Sequence, residues 1–173
     1  MATSDAMFQQ SSPSPSGRRL NVEIAAYVRL AFNDEVELNG WIGEDTIVGE
    51  SRRTLRRLSV EAMVAEETCR LTFRLRRLRP YVCTGRVMGQ EVRGSATVTA
   101  RGMAFEGHAG LEPLRYQIST SGTCTAHGQD LGIRAMNQSF YSEILGSVDR
   151  TPDAVMIAML IPLLLRQRDT LAY

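Results

Sequence analysis

The chain has 173 residues, 43% of them hydrophobic, and a formal charge of +1, which suits one domain with a sizeable core. All twenty basic residues are arginine, and this excludes chemistry that needs a lysine, such as a Walker-type phosphate loop, a Schiff base or a pyridoxal site. Cys69, Cys83 and Cys124 form an odd set with no secretory leader pattern ahead of them, which points to free thiols in a cytoplasmic protein rather than to a disulfide framework.

The opening MATSDAMFQQSSPSPSG is rich in Ser, Pro and Gln, and predicts a disordered tail over residues 1–18 with a single domain over 19–173. Leu20, Val22, Ile24, Ala26, Val28, Leu30 and Phe32 then alternate with Asn21, Glu23, Ala25, Tyr27, Arg29 and Ala31, the period of a half-buried strand. Asn33-Asp34 is a turn signal, and Val36, Leu38 and Trp41 predict a second strand running toward the glycines of Gly40-Trp41-Ile42-Gly43.

Leu58, Val60, Ala62 and Val64 alternate with Arg57, Ser59, Glu61 and Met63, and Glu66-Glu67 follows as a loop. Leu71, Phe73 and Leu75 then face one way while Arg70, Thr72, Arg74 and Arg76 face the other, until Pro80. This is an amphipathic strand with a cationic outer face. Segments 81–88, 91–100, 103–107, 114–119, 123–127 and 132–136 are short β-type stretches between glycine or polar turns, and 140–148 is a last strand. Together they predict a meandering sheet or barrel of about ten strands.

Residues 151–168, TPDAVMIAMLIPLLLRQR, are the one long apolar run. Thr151 is placed to cap the first turn, Pro152 suits the first helical position, and Asp153 complements the positive end of the helix dipole. From Ala154 to Leu165 every residue is apolar or proline, and a helix apolar on all sides must be buried on all sides. Those twelve residues cover only about 18 Å, whereas a bilayer core needs roughly 20 residues, so no transmembrane segment is expected. Pro162 predicts a kink or a tightened last turn.

The segment SFYSEILGSVDRTPDAVMIAMLIPLLLRQRD resembles the end of the tubby C-terminal-like superfamily, including its LURP-one-related and phospholipid-scramblase branches. There, a strand of the type Y-x-v-E-v precedes an Asp-led apolar helix threaded through a closed antiparallel barrel. Tyr141, Glu143 and Ile144 match the strand, Asp153 the acidic lead, and residues 154–165 the helix. The resemblance implies a barrel of about twelve strands around a central helix, and a module that binds membranes rather than an enzyme. Tubby proteins bind phosphoinositides through basic residues, but no such motif carries over to this chain residue by residue.

The expected fold is therefore mainly β: an antiparallel barrel of about ten to twelve strands around or against the C-terminal helix. Between residues 52 and 86 lie ten arginines against Glu61, Glu66 and Glu67, an excess of seven positive charges, while the rest of the chain is net acidic. Arg52, Arg53, Arg56 and Arg57, with Arg70, Arg74, Arg76, Arg77 and Arg79, form a candidate stripe for phosphate oxygens. The partners expected for it are anionic phospholipid headgroups at a peripheral membrane site, or a protein. Nucleic acid is not favoured, because only Phe73 and Tyr81 supply aromatic faces beside it.

Cys124 and His127 have a two-residue spacing found at metal sites, but a zinc site needs two further ligands, from Cys69 or Cys83 on other strands. Pairing of Cys124 with His108 or His127 as a nucleophile is weaker still than buried thiols and ordinary loop histidines. No cofactor, metal or catalytic residue is nominated. Gly40-Trp41-Ile42-Gly43 also resembles the Gly-x-Trp entrance of calycin-type barrels. It raises an alternative: a small-molecule-binding barrel, calycin-like or helix-grip, conceivably an enzyme, with the helix outside a hollow interior.

Overall fold

The structure, a computed structural model, describes residues 22–30, 35–76, 80–137 and 141–171. The expected tail over 1–18 lies outside the described residues. Twelve strands follow one another: β1 (Val22–Leu30), β2 (Val36–Ile42), β3 (Asp45–Arg53), β4 (Arg57–Val64), β5 (Glu67–Arg74) and β6 (Tyr81–Val87), then β7 (Gln90–Thr99), β8 (Gly102–Ala109), β9 (Glu112–Ser119), β10 (Thr123–Ala126), β11 (Gln129–Asn137) and β12 (Tyr141–Val148). Each pairs antiparallel with its chain neighbour, and β1 closes on β12 from Val22 opposite Val148 to Arg29 opposite Tyr141. Closure leaves no strand edge exposed.

One helix, α1 (Thr151–Leu171), follows. It packs against β1, β2, β4, β6 and β12, strands from different sides of the barrel, and every residue from 154 to 165 is buried. The helix therefore runs along the barrel axis as its core. Pro162 does not end it, and the helix extends three residues past the expected 168.

Alternation explains the wall. In β4, Leu58, Val60, Ala62 and Val64 point inward and Arg57, Glu61 and Met63 outward; in β5, Cys69, Leu71 and Phe73 point inward and Arg70 and Arg74 outward. The outer wall is charged and the interior apolar, the reverse of an outer-membrane barrel. Among the described residues no helix is long and apolar enough to cross a membrane. Two-residue turns join β2 to β3, β4 to β5, β6 to β7, β7 to β8, β8 to β9 and β10 to β11; Ala65-Glu66, at φ 49° and 66°, has the two positive φ angles that match strand twist. The inward Gly94 is required by packing, since a Cβ there would lie 2.8 Å from the Phe105 ring.

The expectation over 54–64 is corrected at its start, because Thr54, Leu55 and Arg56 form the turn before β4. Glu67, expected in a loop, opens β5. Strand β3 was not anticipated as a strand.

The two barrel mouths differ. One holds the ends of β3, β5 and β7 and the starts of β4 and β6, and is the mouth toward which the C-terminal end of α1 points. At the other, β12 turns through Asp149 and Arg150 into the first turn of α1.

Candidate functional site

The arginines gather at the first mouth because the β3–β4 turn and the end of β5 meet there. Thr54 N–H donates to the Arg57 carbonyl at 2.8 Å, and Arg57 N–H donates to Thr54 Oγ1 at 3.2 Å. Leu75 N–H donates to the Arg56 carbonyl at 2.8 Å, tying the end of β5 to the same turn. The register sets Arg57 directly opposite Arg74, so Arg53, Arg56, Arg57, Arg74 and Arg76 share one rim, all exposed. None of these five has a carboxylate partner among the described residues. Like charges directly opposite across a strand pair repel, and an anion bridging two guanidinium groups relieves that repulsion.

The other candidates divide. Arg52 is drawn to Glu50 at 3.3 Å and Glu35 at 3.8 Å. Arg70 gives Glu61 Oε2 two donors, Nη2 at 2.7 Å and Nε at 3.2 Å. Both are thereby largely neutralised, and Arg70 lies away from the rim, opposite Arg86. Arg77 and Arg79 lie outside the described residues.

Sequence reasoning missed Leu55. It sits in the rim turn between Thr54 and Arg56 and is 93% exposed. Its apolar side chain projects into solvent from the middle of the Arg52-Arg53-Thr54-Leu55-Arg56-Arg57 run, and the signal was this one apolar residue inside a cationic hairpin tip.

The remaining chemistry is dispersed. Cys69, Cys83 and Cys124 are free and buried; burial raises all three thiols, Cys83 and Cys124 to about 12, far from a nucleophilic thiolate. Cys124 faces the interior, whereas His108 and His127 are exposed and line one open surface depression with Glu106 and Arg115. The structure therefore does not join Cys124 to either histidine. Among the described residues no group of three metal-ligating side chains forms.

The interior is occupied. At the helix-entry mouth a cavity of about 80 Å³ remains, lined by residues that include Met88, Leu114, Tyr116, Arg150 and Met156. Ligand pockets run to roughly 300–1,000 Å³, and α1 lies inside the barrel rather than outside it, in the space that an internal ligand would take. Comparison of the chain with protein-family models, with curated proteins and with solved structures gives no match.

Proposed function

We propose that this protein is a non-enzymatic binding module that associates peripherally with anionic membrane lipids through the Arg53, Arg56, Arg57, Arg74 and Arg76 rim. One observation carries the reading: five arginines without carboxylate partners among the described residues share a rim with a leucine that is 93% exposed. Near an anionic surface each arginine contributes about 1 kcal/mol, and burying the leucine side chain among acyl chains adds roughly 1.5–3 kcal/mol. The tubby-like resemblance agrees with a twelve-stranded barrel holding its helix inside, and membership of that superfamily is part of the proposal. A position at the cytoplasmic leaflet, where anionic lipids concentrate, follows from the same reading.

The test is co-sedimentation with phosphatidylserine-containing and pure phosphatidylcholine vesicles at low and high salt. Binding is expected to the anionic vesicles alone and to weaken with salt. Arg53, Arg57 and Arg74 changed together to Gln abolish it, while Leu55→Ser weakens it without changing its salt dependence. Failure of the parent protein to sediment with either vesicle overturns the proposal.

A further inference from the structure

We infer that Thr54 is a phosphorylation site, and that the phosphate placed on it is captured by the arginines of the rim. The consequence for membranes rests on the vesicle binding proposed above; the capture itself does not.

Residues 51–59 read SRRTLRRLS and hold three hydroxyl side chains. Ser51 faces the interior at 0% exposed. Ser59 is half-buried within β4, opposite Arg52 on one side and Thr72 on the other. Thr54 alone stands in a turn, exposed, at the mouth of the barrel. Arg52 and Arg53 precede it, Arg56 and Arg57 follow, and Leu55 beside it is 93% exposed. Kinases choose substrates by complementary charge patterns. A hydroxyl with arginines on both sides and an apolar neighbour suits a cleft lined by carboxylates with an apolar pocket. Only Thr54, Leu55 and Arg56 separate β3 from β4, so entering such a cleft opens few bonds: those between Thr54 and Arg57, and that from Leu75 N–H to the Arg56 carbonyl.

In the transfer, a base of the kinase takes the hydroxyl proton and Thr54 Oγ1 bonds to the γ-phosphorus of a nucleoside triphosphate. The bond to the β-phosphate oxygen breaks and the diphosphate leaves. The turn tolerates the change. As a donor, Oγ1 reaches only the Arg57 carbonyl, at 3.5 Å, the outer limit of a hydrogen bond. As an acceptor from Arg57 N–H at 3.2 Å, the oxygen keeps its role.

The new group carries about two negative charges and three acceptor oxygens at neutral pH. It stands one residue from Arg53, two from Arg56 and three from Arg57, which the register sets opposite Arg74. None of these four has a carboxylate partner among the described residues. Charge-assisted bonds from their guanidinium groups relieve the repulsion between Arg57 and Arg74. The phosphate thus takes from within the place that a lipid phosphate takes from outside.

The full chain is treated with an arginine-directed protein kinase and adenosine triphosphate, with Thr54→Ala as the control, and the modified residue is located by mass spectrometry. One phosphate is expected on Thr54 of the folded parent. Followed by phosphorus NMR, its second ionisation is expected below the ordinary value of about 6, because neighbouring guanidinium groups favour the dianion. It returns toward that value in the denatured chain, and in the folded chain with Arg57 and Arg74 changed to Gln. Affinity for phosphatidylserine-containing vesicles falls roughly thirtyfold on phosphorylation, since two negative charges offset about two arginines. Thr54→Ala binds those vesicles equally before and after treatment. Melting curves verify that the variants fold.

A folded parent that takes no phosphate at Thr54 overturns the inference, and so does a phosphate that titrates alike in folded and denatured chains. Undiminished vesicle binding by the phosphorylated chain also overturns it. If the unmodified parent binds no vesicles, the membrane reading falls, and the titration by itself decides the capture.

Discussion

The hydroxyl of Tyr116 on β9 donates to Asp153 Oδ1 in the first turn of α1 at 2.6 Å, a polar link between the barrel wall and the helix that fills it. Tyr116 is 1% exposed, with its ring centroid 6.3 Å from that of Phe105. Burial, and then the Asp153 carboxylate, hold its phenol above the ordinary range, so it stays a donor. Asp153, read from sequence as a partner of the helix dipole, thus also anchors the helix in register with the wall.

Tyr116→Phe keeps the ring and deletes the donor, leaving a half-buried carboxylate without its hydroxyl partner. The expected loss is about 2 kcal/mol, seen as a melting temperature lower by roughly 4–8 °C. Asp153→Asn, whose side-chain carbonyl still accepts, is expected to lose less. Equal melting of Tyr116→Phe and the parent would show that the link contributes nothing.

A second tie lies at the same mouth. Arg150 donates through both terminal nitrogens to the Glu112 carboxylate, Nη2 to Oε2 at 3.1 Å. This bond holds the Glu112 carboxyl below its ordinary value of 4.5. A depressed folded-state value stabilises above the unfolded-state value, and the contribution is lost as pH falls through the folded-state value. Stability is therefore expected to decline from about pH 4.5 downward by well under 1 kcal/mol on this account, because the pair is partly exposed. In Glu112→Gln that part of the acid decline disappears; acid titrations of parent and variant that run parallel would refute it.

The helix core gives the largest expected effects. Leu160→Ala removes a fully buried side chain and should cost about 2–5 kcal/mol, and Ile157→Asp, which buries an unpaired carboxylate, should prevent folding. The three buried thiols report this directly: at pH 8 they resist a thiol reagent in the parent, react faster in Leu160→Ala, and react at once in Ile157→Asp. Rapid labelling of the native parent would contradict the filled interior.

Much of the barrel was legible because facing is a local property. Leu71 and Phe73 alternate with Arg70 and Arg74 in the chain, and the pleat turns that alternation into inside and outside whatever the neighbouring strands are. The helix was legible for the same reason, since twelve successive apolar residues leave no face for water. Strand β3 was hidden because its inward positions are Ile47, Gly49 and Ser51 while Val48 faces out, which inverts the apolar pattern that marks a strand.

The candidate site was only half legible. Composition and spacing determined that arginines crowd residues 52–86 and that those of β5 face outward, because charge and period belong to the residues themselves. Only the tertiary structure decided which of them act together: register set Arg57 against Arg74, Glu61 took Arg70, Glu50 and Glu35 took Arg52, and the β3–β4 turn carried Leu55 to the rim. Cross-strand neighbours are set by register and barrel closure, which depend on the pairing of all twelve strands at once, and no single stretch of sequence contains that information.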